Sequence, residues 1–433
     1  MGDEILGKAP FLIDMELAKI LVAAGAVLFI LVLLNLASLL YVSLHRVATI
    51  GLERRWEGEL FSQKLALARL QLKRQESVGS WNGTRKFKID RIVRECADVA
   101  SFYLVPHDRK PLPSFLPGQF LTFELDVPGQ RSRVVRCYSL SDRPRPDYYR
   151  VTIKRVAAPP DTPGGKPGLV SNFFHSCLKA GDILDVKAPG GGFFLDTSHL
   201  SPVVLLAGGV GITPMVAMAN EIMTVTPQRE TWFFFCVRNS QEHIMKEYLE
   251  KMAKEQSRFH LHIAYSKPNK TDVHGTDYHH EGRVDMALLK AKLPSNNFDF
   301  FMCGPGAMMS DLNEGLKAWG VAEENIHMEA FGPASVKRAP APASEPAGAQ
   351  MKVVFSRSSK ELAWSGQADS LLDLALAEGV SMSYGCRAGN CGTCKTAVKS
   401  GKVKYRKRPG CDVEAGSCLT CIAVPESDLT LDA

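Results

Sequence analysis

Nowhere in the chain does a basic stripe run with aromatic residues interleaved through it. Aromatics are 8% of the 433 residues and the formal net charge of +6 is modest for that length, which argues against nucleic acid as a partner. A disulfide framework is missing too. Of the eleven cysteines, Cys96, Cys137, Cys177, Cys236, Cys303, Cys411 and Cys418 are scattered without regular spacing, and a reducing compartment fits them better than secretion. Another absence is local. From Ile20 to Leu44 there is no charge, with Asn35 and a few serines as the polar interruptions, enough to cross a hydrocarbon core of ~30 Å as a helix. A cleaved signal peptide competes with this reading, but the run is too long, Asp3, Glu4, Asp14 and Glu16 precede it, and no small-residue cleavage site follows. We therefore expect a single membrane span at 20–44 with residues 1–19 extracytoplasmic. His45, Arg46, Arg54 and Arg55 follow the span, so the positive-inside rule puts the remainder in the cytoplasm of a single-pass cell-membrane protein in contact with the lipid bilayer. Residues 45–83 read as charged, leucine-bearing helix, either a stalk or a helix packed on the next domain.

Beyond Thr84 the pattern turns to short alternating strands (Lys86–Arg94, Ser101–Leu104, Gln119–Leu125, Arg133–Ser141, Tyr149–Arg155) punctuated by proline and glycine, which predicts a small antiparallel barrel. From Pro202 apolar strands alternate with amphipathic helices. Val203–Ala207, Thr231–Val237, Phe259–Tyr265, Asp299–Cys303 and Ile326–Phe331 predict a parallel sheet wound on both faces. Residues 333–350 are rich in alanine and proline and read as a linker.

The last part of the chain carries the sharpest motif. Cys386-Arg-Ala-Gly-Asn-Cys391-Gly-Thr-Cys394 is followed at a distance by Cys421, a C-x4-C-x2-C…C spacing that suits four thiolate ligands of a [2Fe–2S] cluster. Gly385, Ala388, Gly389 and Gly392 are small enough to let main-chain N–H groups approach the sulfurs. A zinc site or a disulfide framework explains neither the four-residue gap nor the glycines. Around the loop, Met351–Ser356 and Glu361–Trp364 read as strands, Ser370–Glu378 as an apolar helix, and Lys395–Val398 and Leu419–Val424 as further strands. Residues 351–433 resemble the plant-type ferredoxin family along their whole length, which implies a β-grasp α+β domain. Cys411 and Cys418 read as free thiols beside the four ligands.

Within the expected barrel stands Arg136-Cys-Tyr-Ser139, preceded by Pro117-Gly118-Gln119-Phe120, and Gly168-Leu-Val-Ser171 opens a helix. The strand after Pro202 ends in Gly208-Gly-Val-Gly-Ile-Thr-Pro214, and a later one in Cys303-Gly-Pro305. In this order the motifs resemble the ferredoxin–NADP reductase family over about 84–333. The resemblance implies a flavin domain at 84–200 and an NAD(P)-binding domain at 201–332. It further implies that Arg136 meets the flavin phosphates, Tyr138 packs on the isoalloxazine, Ser139 bonds near its reactive nitrogen, and Lys154, Gly168, Val170 and Ser171 help hold the flavin. Gly208, Gly209, Gly211, Thr213, Pro214 and Arg238 would seat the pyridine nucleotide, with Cys303, Gly304 and Pro305 beside the nicotinamide and Glu329 and Phe331 near the flavin. Ser139, Tyr138, Cys303 and Glu329 are thus the expected catalytic group. FAD is expected over FMN, because the helix start at Gly168–Ser171 offers a second phosphate seat. NADH and NADPH both remain open, since no acidic ribose partner is evident after the second parallel strand.

The expected fold class is multidomain: a transmembrane helix, an antiparallel β-barrel flavin domain, an α/β nucleotide-binding domain with a parallel sheet, and a β-grasp ferredoxin domain. A pyridine nucleotide yields two electrons as hydride and a cluster takes one at a time, so a flavin between them is the natural converter. We expect a reductase feeding a terminal acceptor protein, a membrane oxygenase, hydroxylase or desaturase. A quinone reductase subunit is the alternative, although there the ferredoxin precedes the flavin domain. A non-enzymatic redox sensor is a further one, and a flavohaemoglobin-like dioxygenase would need a globin segment that this sequence does not contain. Between Lys395 and Gly410 lie seven basic residues and no acidic one, either a docking patch for an acidic partner or a solvated loop.

Overall fold

The computed structural model describes residues 19–20, 22–23, 25–42, 81–130, 132–158, 164–331, 351–406, 409–411 and 413–433. The expected extracytoplasmic segment and stalk (apart from residues 19 and 81–83) and the linker at 333–350 lie outside them. The chain divides into two units, 1–77 and 78–433. In the first, a helix Gly25–Val42 (α1) has a mean hydropathy of 2.5 and none of it is buried, so by length and composition it can cross a membrane.

The second unit begins with six antiparallel strands, Thr84–Cys96 (β1), Val99–Pro106 (β2), Phe120–Leu125 (β3), Val134–Ser139 (β4), Tyr149–Lys154 (β5) and Ile183–Gly190 (β6), in the order β4-β3-β6-β1-β2-β5. The sheet closes on itself. Leu140, just past β4, bridges to Val151 of β5, and the Ser141 N–H donates to the Arg150 carbonyl at 2.8 Å, so few edge groups are left unpaired. Alternation decides which side chains fill it: Phe87 and Ile89 of β1 are fully buried while Lys86 and Lys88, on either side of Phe87, face outward. Each such burial contributes roughly 1.5–3 kcal/mol. The helix Leu169–Ser176 (α2) plugs the barrel with Phe174, which meets Phe102, Phe123 and Tyr138 edge-on.

The next sheet is parallel: Val203–Gly208 (β7), Thr231–Val237 (β8), Phe259–Tyr265 (β9), His280–Glu281 (β10), Asp299–Cys303 (β11) and Ile326–Glu329 (β12), ordered β10-β9-β8-β7-β11-β12. Ile212–Val225 (α3) and Lys246–Glu255 (α4) pack with Val203, Leu205 and Phe233 on one face. Met286–Lys292 (α5) and Gly306–Ala318 (α6) pack with Val204, Leu206 and Phe300 on the other. The strand order reverses between β7 and β11, which makes their carboxyl ends the natural ligand crevice. A buried polar clamp ties barrel to sheet: Asp142 accepts from Asn220 Nδ2 of α3 (2.8 Å), the Tyr148 hydroxyl (2.7 Å) and Arg145 Nε (3.1 Å).

The last part contains Met351–Phe355 (β13), Lys360–Trp364 (β14), Leu371–Ala377 (α7), Lys395–Ser400 (β15), Val403–Tyr405 (β16), Ser417–Leu419 (β17), Ala423–Pro425 (β18) and Leu429–Leu431 (β19). Five strands in the order β14-β13-β19-β15-β17 clasp α7, and β16 pairs with β18. The helix is capped by Ser370, whose oxygen accepts from the Asp373 N–H. The single strand expected at Leu419–Val424 is broken instead, because a turn closed by Ile422 N–H on Leu419 O (3.1 Å) swings Cys421 toward the ligand loop.

Candidate functional site

Strand β4 alternates its side chains about the barrel wall, and at its carboxyl end a cavity of about 460 Å³ opens. Three stretches far apart in sequence wall it. The barrel gives Arg136, Tyr138, Ser139 and Lys154 with the Gly168–Ser171 start of α2; the nucleotide sheet gives Val210, Thr213, Glu329 and Phe331; the cysteine loop gives Gly385, Cys386, Arg387 and Asn390.

Each wall has a chemical character. The Arg136 guanidinium donates to the Val135 carbonyl (2.6 Å) and has no carboxylate partner among the described residues, so its charge stays available to an anion. Lys154, by contrast, is paired to Asp98 at 3.2 Å and lies 3.8 Å from Glu242. The start of α2 has no side-chain cap, and the N–H groups of Leu169, Val170 and Ser171 have no intrahelical acceptor, a seat suited to phosphate. Gly168 is needed there for space: a Cβ would stand 2.7 Å from Ser171 Oγ and 2.8 Å from Val156. Tyr138 is half-buried, and burial pushes its phenol well above the ordinary range, so it stays protonated.

Ser139 Oγ donates to Glu329 Oε2 at 3.3 Å, both residues being buried. Glu329 is the register partner of Cys303 across β11 and β12. Ser139, Glu329 and Cys303 therefore meet where the barrel touches the ends of the parallel strands. Burial, and then the Glu329 charge, hold the Cys303 thiol far above its usual range, which keeps it a neutral thiol rather than a nucleophile.

The glycine turn lies next to this group and reaches the cavity only through Val210 and Thr213. Among the expected nucleotide residues only Thr213 lines the cavity; Gly208, Gly209, Gly211, Pro214, Arg238, Cys303, Gly304 and Pro305 do not. Gly208 packs on Pro305 and Gly304, and Gly211 on the Cys303 carbonyl, while Gly209 faces open space. Arg238 is largely exposed and sits 3.7 Å from Glu242.

In the ligand loop, Cys386 Sγ accepts from the N–H groups of Ala388 (3.3 Å), Asn390 (3.3 Å) and Cys391 (3.4 Å), and the Cys386 N–H points at Cys391 Sγ (3.3 Å). Cys394 and Cys421 bring their sulfurs to 3.1 Å. Among the described residues no three His, Cys, Asp or Glu side chains close on a single ion. The thiols instead form two couples, Cys386 with Cys391 and Cys394 with Cys421, the arrangement two irons require. Thr393 Oγ1 is buried beside the Cys391 sulfur, to which its hydroxyl donates. Arg387 holds a left-handed φ of 52°, a strain of the kind that collects at functional loops, and its guanidinium pairs with Asp373. Cys418 is fully buried in the core around α7; burial raises its thiol to about 12. Cys411 packs near the ligands against Gly389 O at 3.7 Å.

Two features escaped the sequence reading. One is the cysteine loop as a wall of the cavity. The other is Cys137, whose thiol reaches Cys391; the only sequence signal was its place between Arg136 and Tyr138, on the opposite side of the strand.

Comparison with known proteins matches the three parts in order. Residues 86–195 match the oxidoreductase FAD-binding domain, 205–314 the oxidoreductase NAD-binding domain, and 356–426 the 2Fe-2S iron-sulfur cluster binding domain. The flavohemoprotein of Halalkalibacterium halodurans is 38% identical over 259 residues, 60% of this chain and 62% of that protein, so the chain spans less than two thirds of such relatives. The FAD/NAD-binding domain of nitric oxide dioxygenase from Vibrio cholerae is 31% identical with a TM-score of 0.51, covering 58% of this chain and 100% of that one. Phthalate dioxygenase reductase, whose structure is described as modular for electron transfer from pyridine nucleotides to [2Fe-2S], is 25% identical with a TM-score of 0.51, covering 83% of this chain and 99% of that one.

Proposed function

Starting from the chain's membership of the ferredoxin reductase-like FAD/NAD oxidoreductases, fused here to a [2Fe–2S] ferredoxin domain, we propose that this NAD(P)H-dependent reductase supplies single electrons to an oxygenase, hydroxylase or desaturase at a membrane. The observation that carries this reading is the shared cavity, which the Arg136-Cys-Tyr-Ser139 strand and Cys386 of the cysteine loop both line. When bound, FAD supplies the conversion of a hydride pair into single electrons and the cluster accepts them.

The chain's own residues take the following roles in this proposal. Arg136 and the amides of Leu169–Ser171 hold the flavin diphosphate, and Tyr138 backs the ring. Ser139 and Glu329, joined by their hydrogen bond, stand together at the reactive edge of the ring. Cys303, kept neutral, packs beside the nicotinamide, while the turn from Gly208 to Pro214 and Gly304-Pro305 shape its approach. Cys386, Cys391, Cys394 and Cys421 hold the irons. The functional units are a barrel at 84–200, a nucleotide domain at 201–332 and a ferredoxin domain at 351–433. The helix Gly25–Val42 supports a membrane anchor with these units in the cytoplasm.

The partner-facing patch is narrower than the basic run suggested. Lys395 pairs with Glu414 at 3.1 Å, Lys399 with Asp432 at 2.9 Å, and Arg406 lies 3.5 Å from Asp369. Lys402 and Lys404 are exposed and have no carboxylate partner among the described residues, which leaves them to meet an acidic partner. The full chain should remain in the membrane fraction after alkaline carbonate washing and copurify with an oxygenase-type iron protein after detergent extraction. Reversing Lys402 and Lys404 to Glu should slow reduction of that protein about tenfold at low salt and spare ferricyanide reduction. Release into the soluble fraction contradicts the anchor; copurification with quinone-reducing subunits alone contradicts the proposed acceptor.

A further inference from the structure

We propose that Cys137 is a positioning residue for the iron–sulfur centre: from the flavin barrel it donates a sulfur hydrogen bond to Cys391, and it thereby makes the cluster easier to reduce when the two modules are in contact. The inference rests on the reading of Cys386, Cys391, Cys394 and Cys421 as cluster ligands.

The geometry begins with the pleat of β4. Val134 and Tyr138 pack toward the barrel core, so Val135 and Cys137 face the other way. What covers that side is the ligand loop. A Cβ placed on Gly385 would lie 3.0 Å from Cys391 Sγ and 3.2 Å from Val135 Cγ1, which sets the Cys391 sulfur directly against this strand. Cys137 is held from behind by Thr122, its register partner on β3, whose hydroxyl lies 3.4 Å from the Cys137 sulfur and is itself buried. The Cys391 sulfur is the other side-chain partner of this thiol.

The loop serves its own sulfurs unequally. Cys386 receives three backbone N–H groups, whereas Cys391 receives one, from Cys386. To the poorer of the two the Thr393 hydroxyl and the Cys137 thiol add side-chain hydrogen bonds. Hydrogen bonds to ligand sulfurs stabilise the more negative, reduced cluster and raise its potential. Reduction of a bound cluster would add one electron and break no bond, and Cys137 would keep its proton throughout. Because the donor belongs to the flavin barrel and not to the ferredoxin domain, the effect exists only at the contact where the electron is received. The cluster is a better acceptor beside the flavin than away from it.

The test uses the full chain loaded with FAD and iron, with Cys137→Ala and Cys137→Ser compared with the parent by anaerobic redox titration followed by electron paramagnetic resonance. Removing a net hydrogen bond of about 1 kcal/mol should shift the flavin–cluster electron distribution about fivefold away from the cluster and change the reduced-cluster spectrum. The serine variant, which keeps a donor, should return to within about twofold of the parent. Iron lost in the alanine variant and kept in the serine variant also supports the proposal. An alanine variant with parent-like distribution and spectrum, equal shifts in both variants, or iron lost from both, would overturn it. A parent protein that binds no iron would refute the ligand reading instead, so the two failures are distinguishable.

Discussion

The glycine turn after β7 and the cysteine loop before β15 are alike in composition, yet Gly211 of the first and Gly392 of the second are glycine for opposite physical reasons. At Gly208 and Gly211 of the turn, side chains are missing because there is no room for them, whereas Gly209 has open space around it. A Cβ on Gly211 would stand 2.1 Å from the Cys303 carbonyl oxygen and 2.9 Å from the Gly304 nitrogen, and one on Gly208 2.6 Å from Pro305. In the loop, Gly392 has ordinary space around it, with its nearest neighbour the Cys411 sulfur at 3.6 Å, but holds a φ of +69°. The first region is thus specified by close packing of two backbone turns at the sheet's switch point. The second is specified by main-chain curvature that aims N–H groups at sulfur. Glycine richness alone says nothing about which of the two applies.

The comparison is broken or sharpened by substitution. Gly211→Ala should have the largest effect, because both atoms it meets are backbone and cannot rotate away. A stability loss on the order of 3 kcal/mol is expected from overpacking, with a roughly hundredfold fall in NADH-driven ferricyanide reduction from displacement of Cys303 and α3. Thermal unfolding and steady-state rates check both, and a parent-like variant would break the comparison. The iron content should not change.

Asp142→Ala comes next, since it removes the clamp between the barrel and α3, the helix that the glycine turn begins. Breaking a buried ionic cluster of this kind costs about 3 kcal/mol. Burial pushes the Asp142 carboxyl up, but the Arg150 charge, the Tyr148 hydroxyl and the Arg145 charge outweigh it and leave the group below the ordinary carboxylate range. Its folded pKa is therefore depressed. The stability it contributes is present above the ordinary range and is lost as pH falls through the lowered value. Chemical denaturation across pH should show the variant's deficit at neutrality and its disappearance in acid.

Gly392→Ala should be mildest. A left-handed conformation costs a side-chain-bearing residue about 1–2 kcal/mol, and nothing collides. Iron should still be bound, with faster loss to a chelator; complete failure to take up iron would show that space matters in this loop as well.

Much of this was legible in the chain because the signals are local. The C-x4-C-x2-C spacing, the β4 motif and the strand–glycine–helix pattern each lie within a dozen residues, and period-2 alternation gave five of the six barrel strands, without β6. What covers each face was not legible. Alternation shows that Cys137 points away from Arg136 and Tyr138, but only the fold brings it against Cys391, some 250 residues onward in sequence. The same limit hid Gly385–Asn390 as a cavity wall. The break at Cys421 was missed because apolar Leu419–Val424 has strand propensity, which the turn carrying the ligand overrides. The two-residue edge strand β10 carries too little pattern to be read at all.

The account turns on electrons passing from the flavin cavity into the cluster that walls it. The most direct measurement mixes the purified full chain anaerobically with one equivalent of NADH or NADPH, following flavin absorbance by stopped flow and the cluster by freeze-quench electron paramagnetic resonance. The reduced-cluster signal should rise as the flavin bleaches, within a single turnover and without any added partner. A flavin that bleaches fully while the cluster stays oxidised through many turnovers would contradict the account.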